Sequence, residues 1–283
     1  VSRRNNEERL GAPHPDSSPP PAVQKDSEDM FSFVVPTEFV DLPSEGKYYA
    51  EGHPLCGQTS VEIRHMTAKE EDILTSESLL RKGLAIERLL QALLVNKSIR
   101  IPDLLVGDKN ALILGARITG YGPFYKTNIL CPACADKQEV DFDLTLIKTK
   151  ESDSVDGIYV SSETKTFSLT LPQSGVEVEV RLMTGRDERR YLELTETKKK
   201  KKLPEAGSTD LLKLLIASVN GSSDPQAVSK LIQALPIKDS RYIKRVYESI
   251  TPDLDMTLQF ECSSCYHEGG VPVPLTADFF WPK

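Results

Sequence analysis

Nowhere in its 283 residues does the chain run eighteen apolar residues together, and its longest apolar stretches, such as Leu89–Val95, sit inside patterned segments. A membrane span is therefore excluded. The opening residues, VSRRNNEERLGAPHPD, carry basic side chains with no apolar run behind them, so no secretory signal is expected. Histidine is scarce, at four residues, and no Ser-His-Asp or Cys-His arrangement is visible. GARITGYG lacks the P-loop lysine and the GxGxxG spacing, so nothing predicts a phosphate cradle and no enzyme activity is expected. Positive charge is outnumbered: 35 Lys+Arg against 42 Asp+Glu leave a net charge of −7. A protein that grips phosphates is usually basic, so nucleic acid is an unlikely partner. The five cysteines cannot all pair, and four of them form two CxxC motifs, which points to metal ligation in a reducing compartment instead of a disulfide framework.

What is present suffices for a core. Hydrophobic residues make up 39%, which excludes a wholly disordered chain, and the length suggests about two domains of roughly 150 residues. Residues 1–30, rich in Pro, Ser and charge, have little to bury and are expected to form a disordered N-terminal arm. From Phe31 the chain reads as extended, with a turn at LPSEG. Val61, Ile63 and His65 alternate with Glu62 and Arg64 as a strand does. Thr67 and Glu70 then make the capping box of a new helix. The leucine-rich stretch Ser76–Val95 predicts one helix with a wide apolar face, and residues 106–118 predict another. YKTNIL reads as a strand entering CPAC, and EVDFDLTLI as extended chain leaving it.

The second half repeats this order. Val61-Glu62-Ile63-Arg64-His65-Met66-Thr67 matches Val178-Glu179-Val180-Arg181-Leu182-Met183-Thr184, with Asp187 standing where Glu70 stood. ALLVN aligns with IASVN, and DLLKLLIASVN predicts a helix. Asp108 precedes Cys131 by the same distance that Asp239 precedes Cys262. The expected fold class is α+β: an internally duplicated two-lobe unit of strand, helices, strand and CxxC knuckle in each copy. The first lobe spans 31–150 and the second 151–283, which adds a Lys-rich, loop-like insertion around Lys198–Lys202.

Cys131, Cys134, Cys262 and Cys265 carry the chemistry. A CxxC turn presents two thiolates to one ion, and two such knuckles complete the tetrahedral sulfur site that zinc favours. With 127 residues between Cys134 and Cys262, a local finger is excluded. Duplication resolves the distance: each lobe supplies one knuckle, and one shared structural zinc clamps the lobes together. A redox dithiol, one ion per knuckle, and metal-free vestiges are the competing readings. The first expects a helix after the motif, the second more ligands than His267 alone. Cys56 stands alone and reads as a buried or inert thiol. Phe279-Phe280-Trp281 is either a core plug or a partner anchor.

The stretches LPSEGKYY, MTAKEEDILTSESLLRKG, ITGYG, CPAC and the terminal LTADFFWP together resemble the T-even-type phage baseplate hub family, which includes hub subunits and hub assembly factors. The resemblance covers most of residues 31–145 and the last few. It implies a phage structural or assembly protein that works through protein–protein contacts where the contractile tail's baseplate hub is built. Its partners would be other tail or baseplate proteins, with several copies in a symmetric baseplate. Its location would be the virion tail baseplate, and the host cytoplasm during assembly. The family offers no catalytic residue to carry over. The alternative, a zinc-ribbon-like nucleic-acid-binding regulator, calls for basic and aromatic residues around the knuckles, and PA and SS inside the CxxC motifs supply neither.

Overall fold

A computed structural model describes residues 35–150, 158–202, 207–274 and 279–280. The arm expected over residues 1–30 lies outside them, as does Trp281.

Strands β1 (Thr37–Asp41) and β2 (Ser60–Arg64) pair antiparallel with Val40 opposite Val61. The LPSEG turn follows β1, and Gly46 there has φ +69°. A Cβ at Gly46 would lie 2.5 Å from the backbone of Leu55 and Gln58, so only glycine fits. Helix α1 (Ala68–Thr75) starts at the expected capping box: Glu70 accepts from the Thr67 N–H at 3.0 Å. The single helix expected over Ser76–Val95 is instead two, α2 (Glu77–Arg81) and α3 (Ala85–Leu93). Gly83, at φ +65°, takes the left-handed turn between them, which ends α2 and re-aims α3 so that Leu89, Leu90 and Leu93 are buried. The chain then runs back along β2, bridging Ile63 to Leu94. Helix α4 (Val106–Tyr121) stops at Gly122, with φ +85°, and feeds the hairpin of β3 (Phe124–Leu130) and β4 (Lys137–Asp143). A short β5 (Lys148–Thr149) follows.

The second half builds β6 (Tyr159–Val160), β7 (Phe167–Thr170) and β8 (Glu177–Val180), then α5 (Gly185–Lys200), α6 (Ser208–Leu215) and β9 (Ile216–Val219). The four strands form one antiparallel sheet in the order β6-β7-β8-β9. Helices α7 (Pro225–Ala234) and α8 (Ile237–Ile250), β10 (Leu254–Asp255), and the hairpin β11 (Thr257–Glu261)–β12 (Glu268–Pro272) complete it. Two expectations are corrected here. The helix predicted through IASVN ends at Leu215, because Ile216–Val219 gains a backbone ladder on β8 and buries Ile216 and Ser218. The lysine run is only partly a loop: Lys198, Lys199 and Lys200 close α5, where cations suit the helix C-terminus, Lys198 pairs with Asp210 on α6, and Lys201 and Lys202 form the turn that follows.

The halves are tied by backbone. β5 pairs with β10, the Val106 N–H donates to Met183 O at 3.1 Å, and the Gly185 N–H donates to Leu104 O at 2.8 Å. Pro36–Lys283 is accordingly one compact unit. Within it, paired features recur. Arg64 grips Glu70 through both terminal nitrogens (3.2 and 2.6 Å), and Arg181 grips Asp187 in the same way (2.7 and 2.8 Å). Asp108 in the first turn of α4 accepts from the Ser44 N–H of LPSEG. Asp239 in the first turn of α8 accepts from the Gln173 and Ser174 N–H groups of LPQSG.

Candidate metal centre

Each hairpin carries one CxxC knuckle at its tip, and the two tips have one geometry. In the first, the Cys131 N–H donates to Asp136 O and the Ala135 N–H to Cys131 O, both at 2.9 Å. In the second, the Cys262 N–H donates to His267 O and the Tyr266 N–H to Cys262 O, again at 2.9 Å. The turns close through Ala135 and Tyr266, non-glycine residues at φ +59° and +55°. A Cβ-bearing residue there costs on the order of 1 kcal/mol, which the paired strands behind each tip sustain.

The four cysteines expected as ligands come together. Cys131 Sγ lies 3.7 Å from Cys265 Sγ, Cys134 Sγ lies 3.7 Å from Cys262 Sγ, and all four sulfurs fall within 4.8 Å of one another. A tetrahedral site with metal–sulfur bonds of about 2.3 Å has edges of about 3.8 Å. The cluster therefore has the dimensions of one mononuclear site fed by both halves. Cys131 and Cys262 are buried, whereas Cys134 and Cys265 face solvent. Backbone N–H groups of Cys265 and Ser264 hold the Cys262 thiol down at about 6. Cys265 is pushed up to about 12: the His267 N–H favours its thiolate, but burial and the three other thiols outweigh it. Four thiols this close cannot all ionise without a cation between them. Ligation by a metal thus requires proton release.

The knuckles also touch each other directly. Gln138 Oε1 accepts from the Ser263 N–H (3.0 Å) and hydroxyl (2.9 Å), and the Ser264 hydroxyl donates to Asp136. These contacts orient one tip on the other and were not foreseen from sequence. Cys56 does not join the cluster. It is exposed, because the loop after LPSEG turns Leu55 into the core and Cys56 outward. His65 sits at the end of β2, 3.9 Å from Glu38, away from any thiol pair.

A family model described as T4 bacteriophage base plate protein matches residues 35–281. The chain belongs to this family. The match includes both knuckles and both LPxxG turns, so the baseplate assignment covers the second half as well as the first. No curated protein and no solved structure gives a significant match. Membership makes this a phage tail baseplate protein. Among the described residues, no helix is long and apolar enough to cross a membrane.

Proposed function

We propose that this baseplate protein is a structural or assembly component of the baseplate hub that acts by binding other tail proteins and has no enzymatic role. The family match carries the reading, and the character of the cysteine cluster supports it. Four thiolates leave a metal no open position for substrate, so the site suits structure better than catalysis. Zinc is the ion that fits: soft sulfur donors, tetrahedral dimensions and no required redox change. Cys131, Cys134, Cys262 and Cys265 would hold it, and the ion would join two hairpins that lie far apart in the chain. The matched capping boxes, LPxxG turns and knuckles support an internal duplication, in which each copy contributes half of the site. The nucleic-acid alternative gains nothing, because Pro132, Ala133, Ser263 and Ser264 at the knuckle tips offer no cation.

Disrupting the gene in the phage tests the function. Tail assembly should stall before complete baseplates form, with restoration by the wild-type chain. Complete, infectious tails from the disrupted phage would refute it. Mass spectrometry of purified virions separates a permanent subunit from an assembly factor.

A further inference from the structure

The four clustered thiols are not alike. Each knuckle buries its first cysteine, Cys131 or Cys262, and exposes its second, Cys134 or Cys265. The pairs at 3.7 Å cross between the knuckles, and each joins one of each kind: exposed Cys265 with buried Cys131, and exposed Cys134 with buried Cys262. An oxidant arriving from solvent meets one sulfur of each pair, and the other stands behind it on the opposite half. This is the placement of an oxidant-accepting thiol beside its resolving thiol. Pairing inside a knuckle is opposed by the turn itself. Cys131 Sγ accepts from the Ala133 N–H at 3.4 Å, and the turn closes through Ala135 in the left-handed region. A bond from Cys131 to Cys134 would break the first and distort the second.

Between the knuckles, the bonds from Ser263 to Gln138 and from Ser264 to Asp136 keep the tips face to face, and none of them involves a sulfur. A disulfide bond is about 2.05 Å long, so each crossed pair must close by about 1.6 Å. Rotation of the two side chains, shared between the sulfurs, spans that distance. We propose that Cys131 with Cys265, and Cys134 with Cys262, are two peroxide-oxidisable pairs through which the same four sulfurs can staple the halves covalently. The exposed thiol attacks the peroxide: an S–O bond forms, the O–O bond breaks, and one water leaves. The buried thiol then attacks the sulfenic sulfur: the S–S bond forms, the S–O bond breaks, and the thiol proton leaves with the hydroxyl as a second water. Over both pairs, four thiols and two peroxides give two disulfides and four waters. The links join residues 134 and 128 positions apart, so each ties one half to the other. The pairing rests on the sulfur geometry alone. Its use rests on the baseplate reading, because a protein carried out of the host in a virion passes from a reducing to an oxidising setting.

Treatment of the full chain with hydrogen peroxide tests it, in a Cys56→Ser background that leaves only the four clustered thiols. Untreated and chelator-treated protein are oxidised in parallel, and the remaining thiols are then alkylated. Free thiols should fall from four to none. Peptide mapping with fragmentation should find Cys131 joined to Cys265 and Cys134 joined to Cys262 within one chain. Should chelation unfold the chain, the untreated protein decides alone. Links inside CPAC and CSSC, a Cys131–Cys262 link, links between two chains, or oxidation that stops at sulfinic or sulfonic Cys134 and Cys265 would each overturn the proposal. So would four free thiols persisting in both preparations. The map reads bonds and not zinc, so its failure would leave the shared-ion reading standing.

Discussion

Asp108 and Ser44 are joined twice: the carboxylate accepts from the Ser44 N–H at 3.0 Å and from its hydroxyl at 2.6 Å. A third donor, the Tyr49 hydroxyl, reaches the same carboxylate at 2.7 Å. Burial raises the Asp108 pKa, and these three donors pull against it. Asp239 plays the corresponding part for Gln173 and Ser174, but those two residues are exposed.

The contrast gives a first prediction. Asp108→Ala strands three buried donors and should cost about 4 kcal/mol, while Asp239→Ala strands N–H groups that water can reach and should cost about 1 kcal/mol. Urea denaturation of the two variants measures the difference. Equal costs would mean that the two turns are not held as described.

The capping boxes set an acid limit. Burial alone would raise Asp187, but the bonds from Arg181 and Thr184 prevail and hold it at about 2, against an ordinary 3.8. Glu70 is likewise lowered from 4.5: burial opposes, and Arg64 and Thr67 prevail. Both folded values lie below the unfolded ones, so their stabilisation is complete above about pH 4.5 and is lost as the pH falls toward 2. Arg181 is 36% exposed, so solvent screening reduces the Asp187 share to on the order of 1 kcal/mol. Asp187→Asn should lose about that much at pH 7 and flatten the acid limb of a stability-versus-pH curve. An unchanged limb would contradict the assignment.

Much of this was legible in the chain. Thr67-x-x-Glu70 and Thr184-x-x-Asp187 marked helix starts that the structure has, because a capping box is satisfied within four residues. The CxxC pairing was legible because the repeated sequence pattern converts a long separation into a local correspondence. The failures lie where tertiary partners decide. Ile216–Val219 continued a helical pattern, but the free edge of β8 claimed it. Gly83 was visible, yet its left-handed turn depends on where α3 finds its core. Helix α7 went unread although Asp224 followed by Pro225 is a helix start, with the Asp224 side chain accepting from the Gln226 N–H at 3.0 Å. Arg117 gave no signal at all. It is 2% exposed, bonded to the carbonyls of Gly122 and Phe124, and packed against the rings of Tyr121, Tyr125 and Phe279.

That packing settles the role of two C-terminal aromatics. Phe279 and Phe280 are 2% and 3% exposed, and Phe279 meets Tyr125 edge-on at 5.1 Å, so these rings fill the core. Phe279→Ala should cost about 3–4 kcal/mol by removing a buried ring beside Arg117. A thermal melt shows it. A variant as stable as wild type would return the cluster to the role of a surface anchor.

Two knuckles in different halves would share one ion. Native mass spectrometry of the anaerobically purified full chain tests it most directly, read with the single variants Cys131→Ser and Cys262→Ser. One zinc is expected per wild-type chain, with a loss of zinc from both variants although each alters only one knuckle. Two metals per chain, none at all, or full zinc retained in either variant would contradict it.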